Sequence, residues 1–482
     1  MLDSELIDLV NDVIDKGCEM QNIELKAAQK GCPKKLYDTL SGFSNQENGG
    51  ILIFGIDQDN DFNICGVYDA QDLQVKVTEQ SNQMSPIVRP LFTVAKINDK
   101  VIVSAEIAEC DIFEKPCFYI GTGRVRGSYI RAYDSDIPMT EYEIYSYEAF
   151  RKKNQDELRA VPHADMTDLN DIKVKEYFYK VCNEKENLAK LSEKQILKLQ
   201  GIVLEDKPTL AGMMVFGAYP QAFFSQLSIT AVVVPGTKIG ETGSVGERFI
   251  DNKRIEGTIS QMFDTAVSFV RRNMKSKTII NADGKRVDKT EYPMIAIREL
   301  ILNALIHRDY SIHTDSLPIR LMMFEDRIEI ENPGGLYGRL TLDNLGKVGA
   351  DTRNPYIAGI LEILINTENR FSGIPTVYLE MEKAGLPKPL FENNRGTFKV
   401  TLYNDANNIN NKINLQDTLS HEILNYCRTP KSRAEIAERF EFKTISYMIR
   451  KYIEPLVKEG LLEMTLPNTP KSKNQKYIAV KY

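Results

Sequence analysis

The chain has 482 residues, of which 42% are apolar and 27% charged. At one domain per roughly 100 to 200 residues, that length implies about three or four domains. A disordered chain or a coiled-coil rod is excluded, because each piece holds enough apolar residues to bury a core. No apolar run approaches the roughly 18 residues of a membrane span, and the acidic start MLDSELIDLV is unlike a basic leader, so a cytoplasmic location without a membrane partner is expected. The seven cysteines are odd in number and contain no C-x-x-C pair, so they read as buried thiols. A net charge of −6 argues against whole-chain attraction to nucleic acid and leaves room for local basic surfaces.

In chain order, Leu2, Leu6, Leu9, Val10, Val13 and Ile14 predict an amphipathic helix, and Ile23 to Lys26 alternates as a half-buried strand does. A helix follows, with Pro33 in its first turn and Leu36, Leu40 and Phe43 at helical spacing; Asn48-Gly49-Gly50 ends it ahead of a strand over 50–57. FTVAKI and VIVSAEI, separated by Asn98-Asp99-Lys100, predict a hairpin. These elements make an α+β domain over residues 1–155, followed by a polar linker with Pro162. Residues 165–285 read as a mixed α+β region with a helix near 171–187 and strands over 211–216 and 229–234. Its GTKIGETGSVGE stretch is read as a surface loop, since no Lys-Ser/Thr pair follows it. Residues 286–405 give helix, paired strands, a long Gly/Asn/Pro-rich loop, helix and strand. The asparagine-rich 404–414 stretch is a linker, and a last domain fills 415–482. The fold class is thus α+β multidomain.

Chemistry first appears in PMIAIRELILNALIHRDYS, residues 293–311, where apolar residues occupy every side of the projected helix. Glu299 and Asn303 lie one turn apart on one face, with His307 a further turn along. A buried carboxylate and amide need partners. One candidate is hydrated Mg²⁺ bridging phosphates, with Asn303 as an oxygen ligand and Glu299 as the base for an attacking water. Spacing alone equally allows a core ion pair of Glu299 with Arg298, Arg308 or Arg320. Downstream, a strand over 327–331 runs into Asn332-Pro333-Gly334-Gly335-Leu336, where glycines let the backbone approach a ligand, and Ser372-Gly373-Ile374-Pro375 precedes a second helix. On these residues, 291–403 resembles the divergent GHKL-type ATPase domain known as the C-terminal part of RecG-like proteins. Its E-x-x-x-N-A-x-x-H-R-D-Y signature stands here as Glu299, Asn303, Ala304, His307, Arg308, Asp309 and Tyr310. The resemblance implies an α/β sandwich that binds ATP, with Glu299 as catalytic base, Asn303 on Mg²⁺, and His307, Asn332, Gly334, Gly335 and Gly373 around the nucleotide. The family places an aspartate on the adenine amino group; here the matching position is Asn332. The sequence has no G-x-x-x-x-G-K-[ST] loop, so no helicase motor is visible.

Glu24 and Lys26 share one face of their strand, opposite Ile23 and Leu25, while Glu19 lies five residues earlier and Asp57 ends the next strong strand. Converging carboxylates beside a lysine suit a metal-dependent nuclease, but an ordinary solvated strand face reads the same way. Glu19-x4-Glu24-x-Lys26, Phe43-Ser44-Asn45, the Gly49 to Asp57 strand, Gly123-Arg124-Val125-Arg126-Gly127-Ser128 and Tyr129-Ile130-Arg131 resemble the Schlafen AlbA_2 domain. That resemblance implies binding of nucleic acid, with Lys26, Arg124 and Arg126 as contacts. It also implies a metal set of Glu19, Glu24 and Asp57, with Asp59 or Asp61 as substitutes for the last.

At the C-terminus, LSHEILNYCR, a Ser432 to Glu435 capping box and a helix from Thr444 precede strands LLEMTL and QKYIAVK, the pattern of a winged helix-turn-helix. Residues 418–482 hold twelve Lys/Arg against seven Asp/Glu, net +5. Lys443, Arg450 and Lys451 fall on or beside the expected recognition helix, and Lys471 and Lys473 in the wing, where they could meet phosphates; protein contacts are the alternative use. The combined expectation is an ATP- and Mg²⁺-dependent regulator of DNA or RNA, dimeric by resemblance. The alternative is a Mg²⁺- or Mn²⁺-dependent nuclease acting through Glu19, Glu24 and Asp57, and a plainer one is an ATP-binding scaffold that recruits a protein.

Overall fold

The computed structural model describes residues 1–132, 135–280, 286–349, 351–365, 373–405, 423–424, 426–440, 442, 445–458, 462–465 and 475–479. Two compact units emerge: Met1–Ala384 with Lys388–Leu402, and Gly385–Pro387 with Tyr403–Tyr482. The architecture is mixed α+β throughout.

The first unit begins with α1 (Asp3–Lys16), β1 (Ile23–Lys26), α2 (Tyr37–Asn45), β2 (Gly50–Phe54), β3 (Ile56–Asp57), β4 (Asn63–Ile64), α3 (Ala70–Ser81) and β5 (Met84–Ser85). It continues with β6 (Leu91–Ile97), β7 (Lys100–Ile107), β8 (Phe118–Tyr119), α4 (Gly123–Gly127), β9 (Tyr129–Ala132), β10 (Ser135–Pro138) and α5 (Glu141–Lys152). Strands β1, β2, β7 and β6 form a sheet in that order, parallel at β1/β2 and antiparallel elsewhere. Alternation sends successive residues to opposite faces. Leu6, Val10 and Val13 of α1 pack on Ile23, Leu25, Ile53 and Ile102. Leu40 and Phe43 of α2 and Leu73 and Val77 of α3 pack on Leu52, Phe54 and Val103 behind them. Each such burial is worth roughly 1.5–3 kcal/mol, so a one-residue register slip would turn both cores out. One local expectation changes: Pro33 precedes rather than enters α2.

Next come α6 (Asp171–Glu184), α7 (Glu193–Leu199), β11 (Val203–Leu204), β12 (Lys207–Pro208) and α8 (Leu210–Phe216). The last corrects the expected strand over 211–216: Thr209 caps it by accepting the Gly212 N–H at 3.0 Å, and all seven residues are buried. Full burial erases periodicity, which is why helix and strand look alike there.

The cavity-bearing part contains β13 (Ile229–Val233), β14 (Asp251–Ile255), α9 (Ile259–Asn273), the hairpin β15 (Ser276–Ile280) and β16 (Arg286–Thr290), and α10 (Met294–His307). It closes with β17 (Ile319–Met323), β18 (Arg327–Pro333), α11 (Pro355–Ile365), α12 (Gly373–Lys383), β19 (Leu390–Asn394) and β20 (Thr397–Tyr403). One six-stranded sheet runs β14-β13-β17-β18-β20-β19, with β13 parallel to β17. Thus β13 and β14, expected in a separate middle region, belong to the same sheet as the strands after residue 317. Helix α10 packs against α9, α12 and β18.

In the second unit, Ser432 accepts the Glu435 N–H at 3.3 Å and Glu435 accepts the Ser432 N–H at 2.8 Å, so the capping box starts the helix Arg433–Arg439. The expected third helix is divided into Ile445–Met448, a π-helical turn Ile449–Ile453 and Glu454–Lys458, and Thr444 lies outside the described residues. Strand Lys476–Ala479 lies between Lys431–Ser432 and Leu462–Met464. Ile436, Met448, Ile453, Leu462 and Tyr477 share its core.

Candidate functional site

Helix α10 is apolar nearly all round, with Ala296, Ile297, Leu300, Ile301, Ala304 and Leu305 buried, which fixes its roll and leaves one polar stripe. On that stripe the Asn303 Nδ2 donates to Glu299 Oε1 at 3.1 Å, so the Asn303 carbonyl oxygen keeps its acceptor capacity. Burial pushes the Glu299 carboxyl up, partly opposed by the Asn303 bond. Gly373, the first residue of α12, sits on this pair: a Cβ there would lie 2.2 Å from Glu299 Oε1 and 3.1 Å from Asn303 Nδ2. No arginine satisfies Glu299 among the described residues. Arg298 lies over the Phe263 ring at 4.7 Å, Arg308 donates to the Thr314 carbonyl at 2.8 Å, and Arg320 pairs with Glu331 at 3.5 Å, so the core ion pair allowed by spacing does not form.

The facing wall is the end of β18. Gly334 has φ +103°, and a Cβ there would lie 2.3 Å from Arg353 Nη1 and 2.6 Å from Asp309 Cβ, so only glycine fits. Between the walls lies a cavity of about 420 Å³ whose lining includes Glu299, Asn303, His307, Asn332, Gly334, Gly335 and Gly373. All seven expected nucleotide-site residues therefore meet in one space of the size that small-molecule sites occupy. The cavity has two chemically distinct ends. At one, Glu299, Asn303 and the start of α12 come together. At the other, Gly334 adjoins Arg353, and burial followed by the Arg353 charge pushes the His307 imidazole down to about 4, so it is neutral at pH 7. Asn332 is 6% exposed and its Oδ1 has no hydrogen-bond partner.

These features fit a nucleotide with Mg²⁺. The donor set at Glu299 and Asn303 is a hard amide oxygen and a carboxylate, the cavity lining includes an unsatisfied buried polar atom on Asn332, and a side chain at Gly373 or Gly334 would fill the cradle. Among the described residues no group of three His, Cys, Asp or Glu could hold a metal by itself, so phosphate oxygens would have to complete the coordination.

Three residues of α5 that sequence reasoning passed over, Tyr142, Glu143 and Phe150, tie this cavity to the N-terminal region. The Tyr142 hydroxyl, on α5, donates to Asp309 Oδ2 at 2.8 Å, and Arg353 pairs with the same carboxylate at 3.4 Å. Beside them, Arg395 grips Glu143 through Nε at 2.9 Å and Nη2 at 2.8 Å, and Phe150 meets the cavity-lining Tyr337 edge to face at 5.4 Å. The signal was present, since Thr140 to Glu143 is a capping box that starts α5, but only the fold shows what α5 touches.

In the N-terminal domain, Ile23 and Leu25 face the α1 core while Glu24 contacts Lys26 on the other side of β1. Glu19 accepts the Leu25 N–H at 2.7 Å, and burial pushes its carboxyl up. Between the carboxylates lies Arg131, 4% exposed, 2.7 Å from Glu24 Oε2, 3.3 Å from Asp136 and 3.8 Å from Glu19. The set brought together is thus Glu19, Glu24 and Asp136 around an arginine, and no hydrogen bond or ion pair among the described residues links Asp57, Asp59 or Asp61 to it. Antiparallel pairing of β9 and β10 places Asp136 opposite Arg131, a partner that spacing from Glu24 could not reveal. Of the expected phosphate contacts, Lys26 is engaged with Glu24, and Arg124 contacts Glu148 and lies over Phe118 at 5.2 Å, while Arg126 is exposed. Lys443, Lys471, Lys473 and the side chains of Arg450 and Lys451 lie outside the described residues.

Comparison with known proteins finds family matches over four stretches of the chain. Residues 19–140 match the Schlafen, AlbA_2 family, and 317–402 match the family described as ATP-dependent DNA helicase recG C-terminal. Residues 421–478 match the C-terminal domain of filamentation induced by cAMP protein Fic-like, and 146–226 match a domain of unknown function. No curated protein matches the chain. Among solved structures, the DIP2311 protein from Corynebacterium diphtheriae is 18% identical, with TM-score 0.41 over 99% of this chain and 97% of its own. The N-terminal domain of a RecG-related protein from Nitrosomonas europaea is 25% identical, with TM-score 0.23 over 28% of this chain and 92% of its own. No described helix is long and apolar enough to cross a membrane.

Proposed function

We propose that the chain is an ATP-binding, nucleic-acid-binding regulator in which nucleotide in the α10/β18 cavity controls the N-terminal domain. The observation that carries this reading is the single cavity gathering Glu299, Asn303, His307, Asn332, Gly334, Gly335 and Gly373, with α5 packed directly on its wall. Asn303 would hold Mg²⁺, whose role when bound is to neutralise phosphate charge. Glu299, buried and oriented by Asn303, would accept a proton from water, and the burial that raises its carboxyl makes it a stronger base when ionised. The AlbA_2 and RecG-type matches support nucleic acid, DNA or RNA, as the partner. The basic C-terminal unit, read as a winged helix, would add contacts that position rather than specify. A homodimer fits the same reading.

The nuclease reading is weaker, because Arg131 already neutralises Glu19 and Glu24 where a metal would be needed. The test is Asn303→Ala assayed for ATP binding and for DNA and RNA binding with and without ATP. The expected result is loss of ATP binding together with loss of the ATP-dependent change in nucleic-acid affinity. ATP binding retained in the variant, or nucleic-acid affinity indifferent to ATP in the natural protein, would overturn the reading.

A further inference from the structure

Of the phosphate contacts expected in the N-terminal domain, Lys26 and Arg124 are engaged with Glu24 and Glu148, whereas Arg126 is exposed and has no ion pair or hydrogen bond among the described residues. The same holds for Lys34 and Lys35, the two residues that lead into α2. Helix α2 packs against β8, α4 and β9, and β8 packs against α4, so these cations belong to one part of the surface. At its centre Tyr37, the first residue of α2, stacks on Tyr119 of β8 with ring centroids 3.8 Å apart and planes 15° from parallel. The pair is fixed in place. The Tyr37 hydroxyl donates to Gln83 Oε1 at 3.2 Å, and the Tyr119 ring lies against Gly121, where a Cβ would come within 2.4 Å of it. Both tyrosines pack on the core that holds Leu36 and Leu40, yet both stay half-buried. Ile120 and Val125, 58% and 59% exposed, extend the apolar part of the surface. Asp38, on the first turn of α2, is hydrogen-bonded to the Tyr129 hydroxyl, and Glu79 of α3 lies near Cys32.

Exposed lysine and arginine attract phosphates without reading sequence. A fixed pair of tyrosine rings adds something that a duplex cannot use. Bases in a duplex are stacked on one another and present only their edges, whereas unpaired bases have free faces that stack on aromatic side chains. A ring already held in place also loses little freedom when a base meets it. Cations beside half-exposed aromatic rings are the combination by which single strands are held.

We infer that the surface formed by the start of α2, β8 and α4 binds single-stranded nucleic acid, with Lys34, Lys35 and Arg126 on backbone phosphates and the Tyr37–Tyr119 pair stacking an unpaired base. The inference rests on the nucleic-acid reading above and names the form of the partner and the residues that meet it. The experiment titrates the full chain against labelled single-stranded RNA, single-stranded DNA and duplex DNA over a range of salt. It is repeated with the double variant Lys34→Gln/Lys35→Gln, with Tyr37→Leu and with Tyr37→Phe. The lysine variant should flatten the slope of log K against log salt for single strands by about 1.4, at about 0.7 per phosphate contact. Tyr37→Leu should weaken single-strand binding by roughly 10- to 100-fold and leave duplex affinity unchanged, while Tyr37→Phe, which keeps the ring, should bind as the natural protein does. An unchanged salt slope in the lysine variant would overturn the inference and leave nucleic-acid binding to another surface. Both lysines are exposed, so that comparison does not depend on a tyrosine variant folding. Equal losses on single strand and duplex in a folded Tyr37→Leu protein would overturn it as well. Failure of the natural protein to bind any of the three nucleic acids would overturn the nucleic-acid reading and this inference together.

Discussion

Tyr142 and Asp309 are 167 residues apart in sequence and joined by a 2.8 Å hydrogen bond from the phenol to the carboxylate. Although burial works against ionisation, Arg353, the Ser311 backbone N–H and this phenol hold the Asp309 carboxyl below its ordinary range. The bond places a charged group of the cavity wall under the influence of a helix from the N-terminal region. Tyr142→Phe removes one donor and keeps the ring. It should lower the thermal unfolding midpoint by the equivalent of about 1–2 kcal/mol and cut the coupling between ATP and nucleic-acid binding by roughly 0.5–2 kcal/mol. Differential scanning calorimetry and a nucleic-acid titration with and without ATP check both; unchanged coupling would remove α5 as the link.

Gly373→Ala places a methyl 2.2 Å from Glu299 Oε1, closer than any relaxed contact, so Glu299 or the start of α12 must shift. ATP affinity should fall at least tenfold while far-ultraviolet circular dichroism stays unchanged. An alanine variant that binds ATP normally would show that the Glu299 and Asn303 end is not where the phosphates lie.

Glu157 is fully buried and accepts the Tyr356 and Ile357 N–H groups at 2.9 and 2.8 Å, capping the first turn of α11. Burial outweighs these two bonds and pushes its carboxyl up to about 7. A carboxyl raised on folding binds more protons in the folded state, so its stabilising contribution is present below about pH 4.5 and is lost as pH rises through about 7. The swing is about 3 kcal/mol at most. Melting curves from pH 4.5 to 8 should fall more steeply for the natural protein than for Glu157→Gln; parallel curves would show the carboxyl titrating normally.

Arg131→Ala would leave Glu19, Glu24 and Asp136 buried without their common cation, at a cost of about 3–5 kcal/mol. The natural protein should shift labelled RNA without cutting it in Mg²⁺ or Mn²⁺. Cleavage that disappears in Glu24→Ala would instead establish these carboxylates as a nuclease centre despite the arginine.

Local signals carried the local structure. Period-two alternation marked β1, the apolar run after Asn48-Gly49-Gly50 marked β2, the Asn98-Asp99 turn marked the β6/β7 hairpin, and the capping box at Ser432 marked the helix after it. The polar stripe Glu299, Asn303 and His307 stood out because it interrupts an otherwise apolar helix, and the glycines it meets were visible as backbone positions that need freedom. What stayed hidden was non-local. Arg131 reaches Glu24 across 107 positions through β9, and nothing near Glu24 announces a cation. The strand expected at 211–216 is a helix because uniform burial removes the periodic contrast that separates the two. The division at residue 285 cut through a sheet whose β13 pairs with β17, 90 positions downstream, and such pairing leaves no mark in either segment.

That parallel pairing also sets an order of events during synthesis. The sheet made by β1, β2, β7 and β6 has all its strands by Ile107, so it can close while most of the chain is still unmade. Strand β13 must wait for β17, and the cavity wall is finished only when β20 pairs with β18 near the end of the first unit. Such late, long-range pairing is slow and leaves β13 and β14 with unpaired edges in the interval. The growing chain therefore presents a folded N-terminal domain before the cavity between α10 and β18 has its walls.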